Sequence, residues 1–387
     1  MDSRVLLAHN QDFPADRLPL AEALRQRIRR MVEARETVVR EAGLDPAFCL
    51  PDANWQLESA TNDFATAYRH LRDGGYEALN RLRFWVQSFT GYRVMSQGYA
   101  RGYPSVSPIP ADLDAILQRE HPRPDRWVGR WRRAIRGVPP KYWFAPKPML
   151  GEIGWRIEDV IVNYDTQAYQ ERLNLLYAAG VLEHLERLGR PLRILEIGGG
   201  YGALAYGLRD IFPASTYVIC DLPESLMFSG LYLLATLEEP RLLDSADLAV
   251  PPLLAAPGSV LVPNYLFHRL VEDGAGFDLV INTLSMSEMS EHQIDVYCAG
   301  IAKLIGATGM FFEQNKDDRW RGLRFAMRHM GGHFTAHRPI RVARRHRRNG
   351  YPNLWANGDL GALLGNATLR RLRLALRRAV APAVGGA

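Results

Sequence analysis

Short apolar runs alternate with longer amphipathic stretches through the second half of the chain. The runs lie at residues 194–197, 217–220, 260–262, 277–282 and 310–315, and helical spacing is visible between most of them. A run that is apolar on both faces is typical of a buried parallel strand, and strands joined through helices by short connections form parallel sheets. The pattern therefore predicts an α/β fold with a doubly wound, Rossmann-like sheet.

The N-terminal part of the chain has a different pattern. Leu and Val recur at helical spacing among Arg and Glu over residues 18–42, and further helical stretches lie near 60–72 and 76–89. We therefore predict two domains, a mostly helical N-terminal domain at 1–150 and a sheet domain at 151–387. The helical domain is expected to cover the substrate or to join two subunits as a homodimer.

The composition is that of an ordinary soluble globular protein, with 387 residues of which 47% are hydrophobic and 23% charged. The N-terminus lacks the pattern of a signal peptide, and no eighteen apolar residues run together, so we expect a cytoplasmic protein without a membrane partner. The cysteines Cys49, Cys220 and Cys298 are too widely spaced for a disulfide framework or a zinc pattern. They are predicted to be reduced packing residues.

The formal net charge of +6 is unevenly distributed along the chain. From Lys316 onward 16 Lys and Arg face 3 Asp and Glu, a charge of +13, whereas the preceding residues carry −7. This basic C-terminal tail includes an arginine cluster at 344–348 and a helical pattern at 367–380. It would suit a phosphorylated or carboxylated substrate, a nucleic acid, or plain solvation. Nucleic acid is the least favoured, since the sequence shows neither a stacked-aromatic RNA-binding pattern nor an OB-like set of strands.

Alternating glycines follow the first apolar run, at Gly198, Gly200 and Gly202. Glycine tolerates positive φ and lets the backbone approach a ligand closely, and the free N–H groups that open the next helix face the same point. Nineteen residues beyond Gly202 the second run ends at Asp221, where nucleotide-binding sheets hold ribose hydroxyls with a carboxylate. The sequence thus predicts a nucleotide-type ligand, although Gly198-x-Gly200-x-x-Ala203 also fits the dinucleotide fingerprint.

The motif Glu196-x-Gly198-x-Gly200-x-Gly202 resembles motif I of the class I S-adenosylmethionine-dependent methyltransferases, and Asp221-Leu222-Pro223 resembles their ribose-binding strand end. The acidic residue two positions before the first glycine favours S-adenosylmethionine over a nicotinamide cofactor. The cofactor-binding residues that the resemblance implies are Glu196, Gly198, Gly199, Gly200, Gly202, Asp221 and Leu222.

Further cofactor contacts are inferred from position alone. Asn264 and Tyr265 follow the third strand and are expected to reach the adenine. Gln170 and Arg172 lie in a helix predicted over 166–189, capped by Asp165 or Thr166, that leads into the first strand. An arginine there suits the methionine carboxylate, or it is an ordinary surface residue.

Within the class I enzymes, the blocks GEIGW at 151–155, VNYDTQAYQERLNLLYAAG at 162–180 and FDLVINTLSMSEMS at 277–290 resemble the bacterial sugar O-methyltransferase family. The resemblance implies methyl transfer to a sugar hydroxyl in a glycosylated natural product or polysaccharide. An aromatic, turn-rich segment at 84–110 would suit stacking on such an acceptor, or packing between helices. The order of the motifs also parallels the plant phenolic O-methyltransferases, but their catalytic histidine aligns with Ser287 here.

An alcohol needs a base or a metal to take or weaken its proton. Glu288, at the end of the loop after the fourth strand, is the first candidate, and His292 lies one helical turn further on. His268 and Asp165 complete the set. Each also has a structural interpretation: a helix-start carboxylate, a surface histidine or a helix cap. A divalent metal would take Glu288, Glu291 and Asp165, although these residues lack a compact ligand spacing. Without an active base, the chain would be a cofactor-binding regulator.

Overall fold

The structure is a computed structural model that describes residues 5–8, 12–51, 55, 63–83, 86, 124–157, 160–316, 326–340 and 350–364. The aromatic segment around residues 87–110, the arginine cluster and the helical pattern at 367–380 lie outside these ranges. The basic C-terminal tail therefore stays a prediction from the sequence.

The described strands are β1 (Val5–Ala8), β2 (Glu152–Ile157), β3 (Val160–Val162), β4 (Arg193–Ile197), β5 (Thr216–Asp221), β6 (Arg241–Leu242), β7 (Gly258–Pro263), β8 (Leu279–Thr283), β9 (Met310–Asn315), β10 (Ala336–Pro339) and β11 (Tyr351–Ala356). The α-helices are α1 (Leu18–Glu41), α2 (Pro46–Cys49), α3 (Asp63–Asp73), α4 (Tyr76–Leu79), α5 (Pro124–Ile135), α6 (Tyr164–Ala179), α7 (Val181–Arg187), α8 (Ala203–Ile211), α9 (Pro223–Thr236), α10 (Val250–Leu254), α11 (Phe267–Glu272), α12 (Glu291–Ile305), α13 (Ala326–Gly331) and α14 (Leu360–Leu364).

Eight strands form the main sheet, in the order β10-β11-β9-β8-β4-β5-β7-β6. The strands from β9 to β6 are parallel, and helices connect most of them, which confirms the predicted doubly wound α/β fold. The sheet is not wholly parallel, because β11 runs antiparallel to both β9 and β10. After β4 the chain forms β5 on one side of that strand, and it later returns to form β8 on the other side. Ligands of such sheets bind at this switch point, at the carboxyl ends of the strands.

The helix before β4 differs from the prediction at both ends. It begins at Tyr164 and its N-cap is Asn163, whose side chain accepts a hydrogen bond of 2.9 Å from the Thr166 N–H. The helix ends at Ala179, because Gly180 adopts a left-handed φ of +83°, and a second helix then continues to Arg187. Asp165 does not cap the helix, since its carboxylate is engaged elsewhere.

The helical N-terminal region packs directly on the sheet domain. Leu24 of α1 lies so close to α9 that a Cβ added to Gly230 would be 3.0 Å from its nearest methyl carbon. A buried ion pair of 2.9 Å joins Arg35 of α1 to Glu224 of α9. One apolar cluster contains residues from both predicted domains. No helix among the described residues is long and apolar enough to span a bilayer.

Candidate functional site

A tight glycine loop follows β4 at the switch point. Gly198, Gly200 and Gly202 have φ of +75°, +57° and +86°, in the left-handed region that favours glycine. A Cβ on Gly198 would lie 2.2 Å from Oγ of Ser285, so this position also lacks room for a side chain. Gly199 is packed against Ile219 of β5. The glycines bring the loop backbone close to the ends of β5 and β8, as the predicted ligand-binding loop requires.

Glu196 is buried beneath this loop, near the end of β4. The hydroxyl of Tyr217 donates to its Oε2 at 2.9 Å. Burial raises the pKa of Glu196 to about 7, although the Tyr217 hydrogen bond and the charge of Arg172 act in the opposite direction. Arg172 is itself buried, with its guanidinium carbon 4.7 Å from the ring centroid of Tyr169. The structure therefore places Arg172 close enough to Glu196 for the charge of the guanidinium to act on that carboxyl.

Asp221 marks the end of the neighbouring strand β5. Its carboxylate accepts hydrogen bonds from the N–H of Gly200 at 3.1 Å and from that of Leu222 at 2.8 Å. Burial raises the pKa of Asp221 to about 6, against the effect of these bonds. Asp221 and Glu196 thus both place a carboxyl group against the glycine loop.

The end of β8 is fastened to the same loop. The amide of Asn282 donates to the carbonyl of Ile197 at 2.9 Å, and Oγ of Ser285 donates to that carbonyl at 3.3 Å. Leu284 between them has φ of +69°, an uncommon conformation for a residue with a side chain. The chain therefore turns sharply at the carboxyl end of β8, next to the loop.

The other predicted cofactor residues make contacts within the protein. The side chain of Asn264 donates to the Cys49 carbonyl at 2.9 Å, and the Tyr265 hydroxyl donates to the Met31 carbonyl at 3.3 Å. Gln170 is fully buried and accepts from the Phe144 N–H at 2.7 Å. Their contribution to adenine or methionine binding stays a prediction.

The predicted bases lie in separate places. Glu288 is exposed at the end of a 3₁₀ turn after β8. His292 is exposed and paired with Asp45 at the start of α2. Nδ1 of His268 lies 3.0 Å from the Tyr265 carbonyl oxygen. Ser287 is buried, and its hydroxyl accepts from the Lys316 N–H at 2.8 Å.

Asp165 belongs to a buried ionic network with Arg83 and Glu152, which the sequence analysis did not predict. Arg83 donates to Asp165 at 3.0 Å and to Glu152 of β2 at 3.2 Å, and Asn163 also donates to Glu152 at 3.1 Å. The Arg83 guanidinium lies 4.1 Å from the ring centroid of Tyr201 in the glycine loop. Burial raises the pKa of both carboxyls, while Arg83 lowers it. The block from 151 to 165 thus connects the helical region to the loop. Its charged residues within an apolar context were the available signal.

A second unpredicted carboxyl, Glu313 of β9, is fully buried. It accepts hydrogen bonds from Asn315 at 2.9 Å and from Asn353 of β11. Burial raises the pKa of Glu313 to about 7. No three His, Cys, Asp or Glu side chains of the described residues form a group that could hold a metal ion, so Glu288, Glu291 and Asp165 do not meet as one.

No protein-family model and no curated protein sequence matches the chain. Among solved structures, a TehB-like S-adenosylmethionine-dependent methyltransferase from Corynebacterium glutamicum is similar at 15% identity, over 49% of this chain and 96% of that chain, with a TM-score of 0.32. The bifunctional kinase-methyltransferase WbdD is similar at 19% identity, over 48% and 39%, with a TM-score of 0.33. The S-adenosylmethionine-dependent methyltransferase SibL is similar at 15% identity, over 51% and 59%, with a TM-score of 0.32. This chain thus spans less than two thirds of WbdD and SibL. The fold assignment rests on the strand order and register.

Proposed function

We propose that this protein is an S-adenosylmethionine-dependent O-methyltransferase whose acceptor is a sugar hydroxyl in a glycosylated natural product or polysaccharide. The observation that carries the cofactor assignment is the crowded loop at residues 198–202, whose glycines have positive φ and against which the carboxyl groups of Glu196 and Asp221 both lie. Backbone N–H groups and carboxylates in this arrangement suit an amino acid joined to a nucleoside.

The strand order favours this cofactor over a dinucleotide. A dinucleotide-binding sheet consists of two parallel βαβαβ halves, each of which holds one nucleotide. Here the second half ends after β8 and β9, because antiparallel β11 occupies the position beside β9. An antiparallel strand therefore stands where the third strand of a second parallel half would lie.

The residues at the switch point fit the groups of S-adenosylmethionine. Asp221 would hold the ribose hydroxyls, the ionised Glu196 would attract the amino group, and Arg172 would hold the carboxylate. When bound, the cofactor supplies an electrophilic methyl group. The protein then has to position a hydroxyl in line with it and exclude water, which accounts for much of the acceleration in reactions of this kind.

The sugar acceptor is supported by the resemblance of blocks 151–155 and 162–180. In the structure these blocks provide Glu152, Asn163 and Asp165, which reach the glycine loop through Arg83 and Tyr201. A phenolic acceptor is less well supported, because buried Ser287 stands where the phenolic enzymes have their histidine.

Calorimetry tests the cofactor assignment. We expect S-adenosylhomocysteine to bind with a measurable heat and NAD⁺ to give none. Incubation with S-adenosylmethionine and a panel of 4-nitrophenyl glycosides should then add one methyl group, detected by mass spectrometry. Uptake of NAD⁺ alone would refute the cofactor assignment. Methylation of free phenols but of no glycoside would refute the acceptor class.

A further inference from the structure

A buried amide with one unpartnered atom lies at the carboxyl end of β9. Gln314 is 1% exposed, and its Nε2 donates to Oε1 of Glu171 in α6 at 3.3 Å. Its Oε1 is buried and has no hydrogen-bond partner among the described residues. Leaving a buried acceptor unpaired costs free energy, which a ligand that donates to it would recover.

A second orphaned amide lies on the same side of α6. Nε2 of Gln167 is buried without a partner within the described part of the chain. Gln167 and Glu171 are four residues apart, so they are neighbours on one helix face. Tyr164, three residues before Gln167, extends this face and is 39% exposed. Helical spacing therefore places an aromatic ring, an unpaired donor and a carboxylate along one face of α6, and the carboxylate of Glu171 contacts the amide that carries the unpaired acceptor.

This group lies next to the proposed methyl-donor site. Gln314 is paired with Thr283 at the end of β8, and its carbonyl accepts from the Leu284 N–H at 2.9 Å. The following residue, Ser285, is the one packed against Gly198. On α6, Glu171 directly precedes Arg172, whose charge acts on Glu196. Helix α6 thus contributes Glu171 to this polar group and Arg172 to the proposed methyl-donor site.

We infer that Gln167, Glu171 and Gln314 form the binding site for the acceptor hydroxyl, and that Glu171 takes its proton. This inference rests on the proposed function. Two adjacent sugar hydroxyls match the group, because each can both donate and accept. The reacting hydroxyl accepts from Gln167 and donates to Glu171, and its neighbour donates to Oε1 of Gln314. Tyr164 offers an aromatic face to the ring.

The transfer balances without a further reactant. The acceptor oxygen forms a bond to the methyl carbon while the bond from that carbon to sulfur breaks. Sulfur keeps the electron pair and becomes a neutral thioether, and the hydroxyl proton passes to the carboxylate of Glu171. Glu171 is half-buried and held by Gln314, whereas Glu288 is exposed, so Glu171 is better placed to act away from bulk water.

The first experiment compares Glu171→Gln with the wild type on 4-nitrophenyl glycosides. We expect kcat to fall about 100-fold or more, the usual range for loss of a general base. The affinity for S-adenosylhomocysteine should be unchanged. Glu272→Gln, an exposed carboxylate on α11, serves as the matched control and should behave as the wild type.

A second variant tests the orphaned amide. In Gln314→Met, we expect the Kd of the glycoside for the complex with S-adenosylhomocysteine to rise about tenfold, equivalent to about 1.4 kcal/mol. The affinity for S-adenosylhomocysteine alone should not change. The ligand-free protein should unfold at the same or a higher temperature, because a buried unpaired acceptor has been removed.

The outcomes separate this inference from the proposed function. Wild-type protein that neither binds S-adenosylhomocysteine nor methylates any glycoside refutes the function and the acceptor site together. Wild-type methyl transfer combined with a normal Glu171→Gln variant refutes only the role of Glu171, most directly if Glu288→Gln shows the loss instead. A Gln314→Met variant whose glycoside affinity is unaltered refutes the acceptor site.

Discussion

Carboxyl groups that are buried near the strand ends lower the stability of the protein at neutral pH. Burial raises the pKa of Glu196 and Glu313 to about 7 and that of Asp221 to about 6. The folded protein therefore holds these protons more tightly than the unfolded chain. The stabilisation that comes from protonating these three carboxyl groups is present at low pH, and it is lost as the pH rises from about 4 through 7.

Glu196→Gln should separate stability from binding. We expect the variant to be more stable than the wild type at pH 8, by up to about 3 kcal/mol, because the neutral amide avoids the cost of a buried charge. The gain should shrink at pH 5, where Glu196 is protonated. The affinity for S-adenosylhomocysteine should fall. Urea unfolding at both pH values and calorimetry measure these effects, and an equal gain at the two pH values would contradict the titration.

Two glycines of the loop provide a matched comparison. Gly198→Ala and Gly200→Ala both place a side chain at positive φ, which costs about 1–2 kcal/mol. Only the new Cβ at 198 meets a neighbour, Oγ of Ser285, whereas nothing lies within 4 Å of the one at 200. We therefore expect Gly198→Ala to lose about 1–3 kcal/mol more in ligand-free urea unfolding. Equal losses of unfolding free energy in the two variants would mean that the loop relieves the contact with Ser285 without a loss of stability.

At the scale of elements, α6 is the helix that organises the site. One of its faces carries Asp165 and Arg172 toward the glycine loop. Gln170 fastens the segment before β2, and Glu171 contacts the end of β9. A helix with polar residues on several faces is buried only if most of these residues find partners. This explains why polar residues of α6 are buried although its sequence has weak amphipathic character.

Arg83→Met tests how the helical region is joined to α6. The variant leaves Glu152 and Asp165 buried without their cation, and we expect a loss of about 3–5 kcal/mol at pH 8. Because burial raises the pKa of both carboxyls and the variant lacks the cation that lowers it, the loss should become smaller as the pH falls. Arg72→Met, whose partner Asp73 is exposed, is the control and should cost at most about 1 kcal/mol. Losses that do not depend on pH would show that the network is not ionic.

At the scale of the whole molecule, one hydrophobic core contains residues from both sides of the predicted domain boundary between residues 150 and 151. Leu24 and Arg35 of α1 are in contact with α9, across that boundary. We expect residues 151–387, expressed alone, to aggregate because the apolar surface of α9 is uncovered. Size-exclusion chromatography and thermal unfolding of the fragment, beside the full chain, measure this. A monomeric fragment with cooperative unfolding would establish two independent domains.

The sequence alone determined the strand-and-helix alternation, the loop at 198–202 and the carboxylates at 196 and 221. These features are local, because the periodicity of a strand and the glycines of a turn act over a few neighbouring residues. The insertion of β11 between β9 and β10 depends on distant pairing, and the sequence pattern did not contain it.

Only the tertiary structure decided which polar residues meet. Arg83 pairs with Asp165 across 82 positions, and Gln314 with Glu171 across 143. The same packing placed His292 beside Asp45 and buried Ser287. Neither the spacing of these residues in the sequence nor their type predicts these contacts. A side chain's partners in a folded protein are set by the packing of whole elements. This is why the glycine loop could be predicted from the sequence, whereas the contact between Gln314 and Glu171 could not.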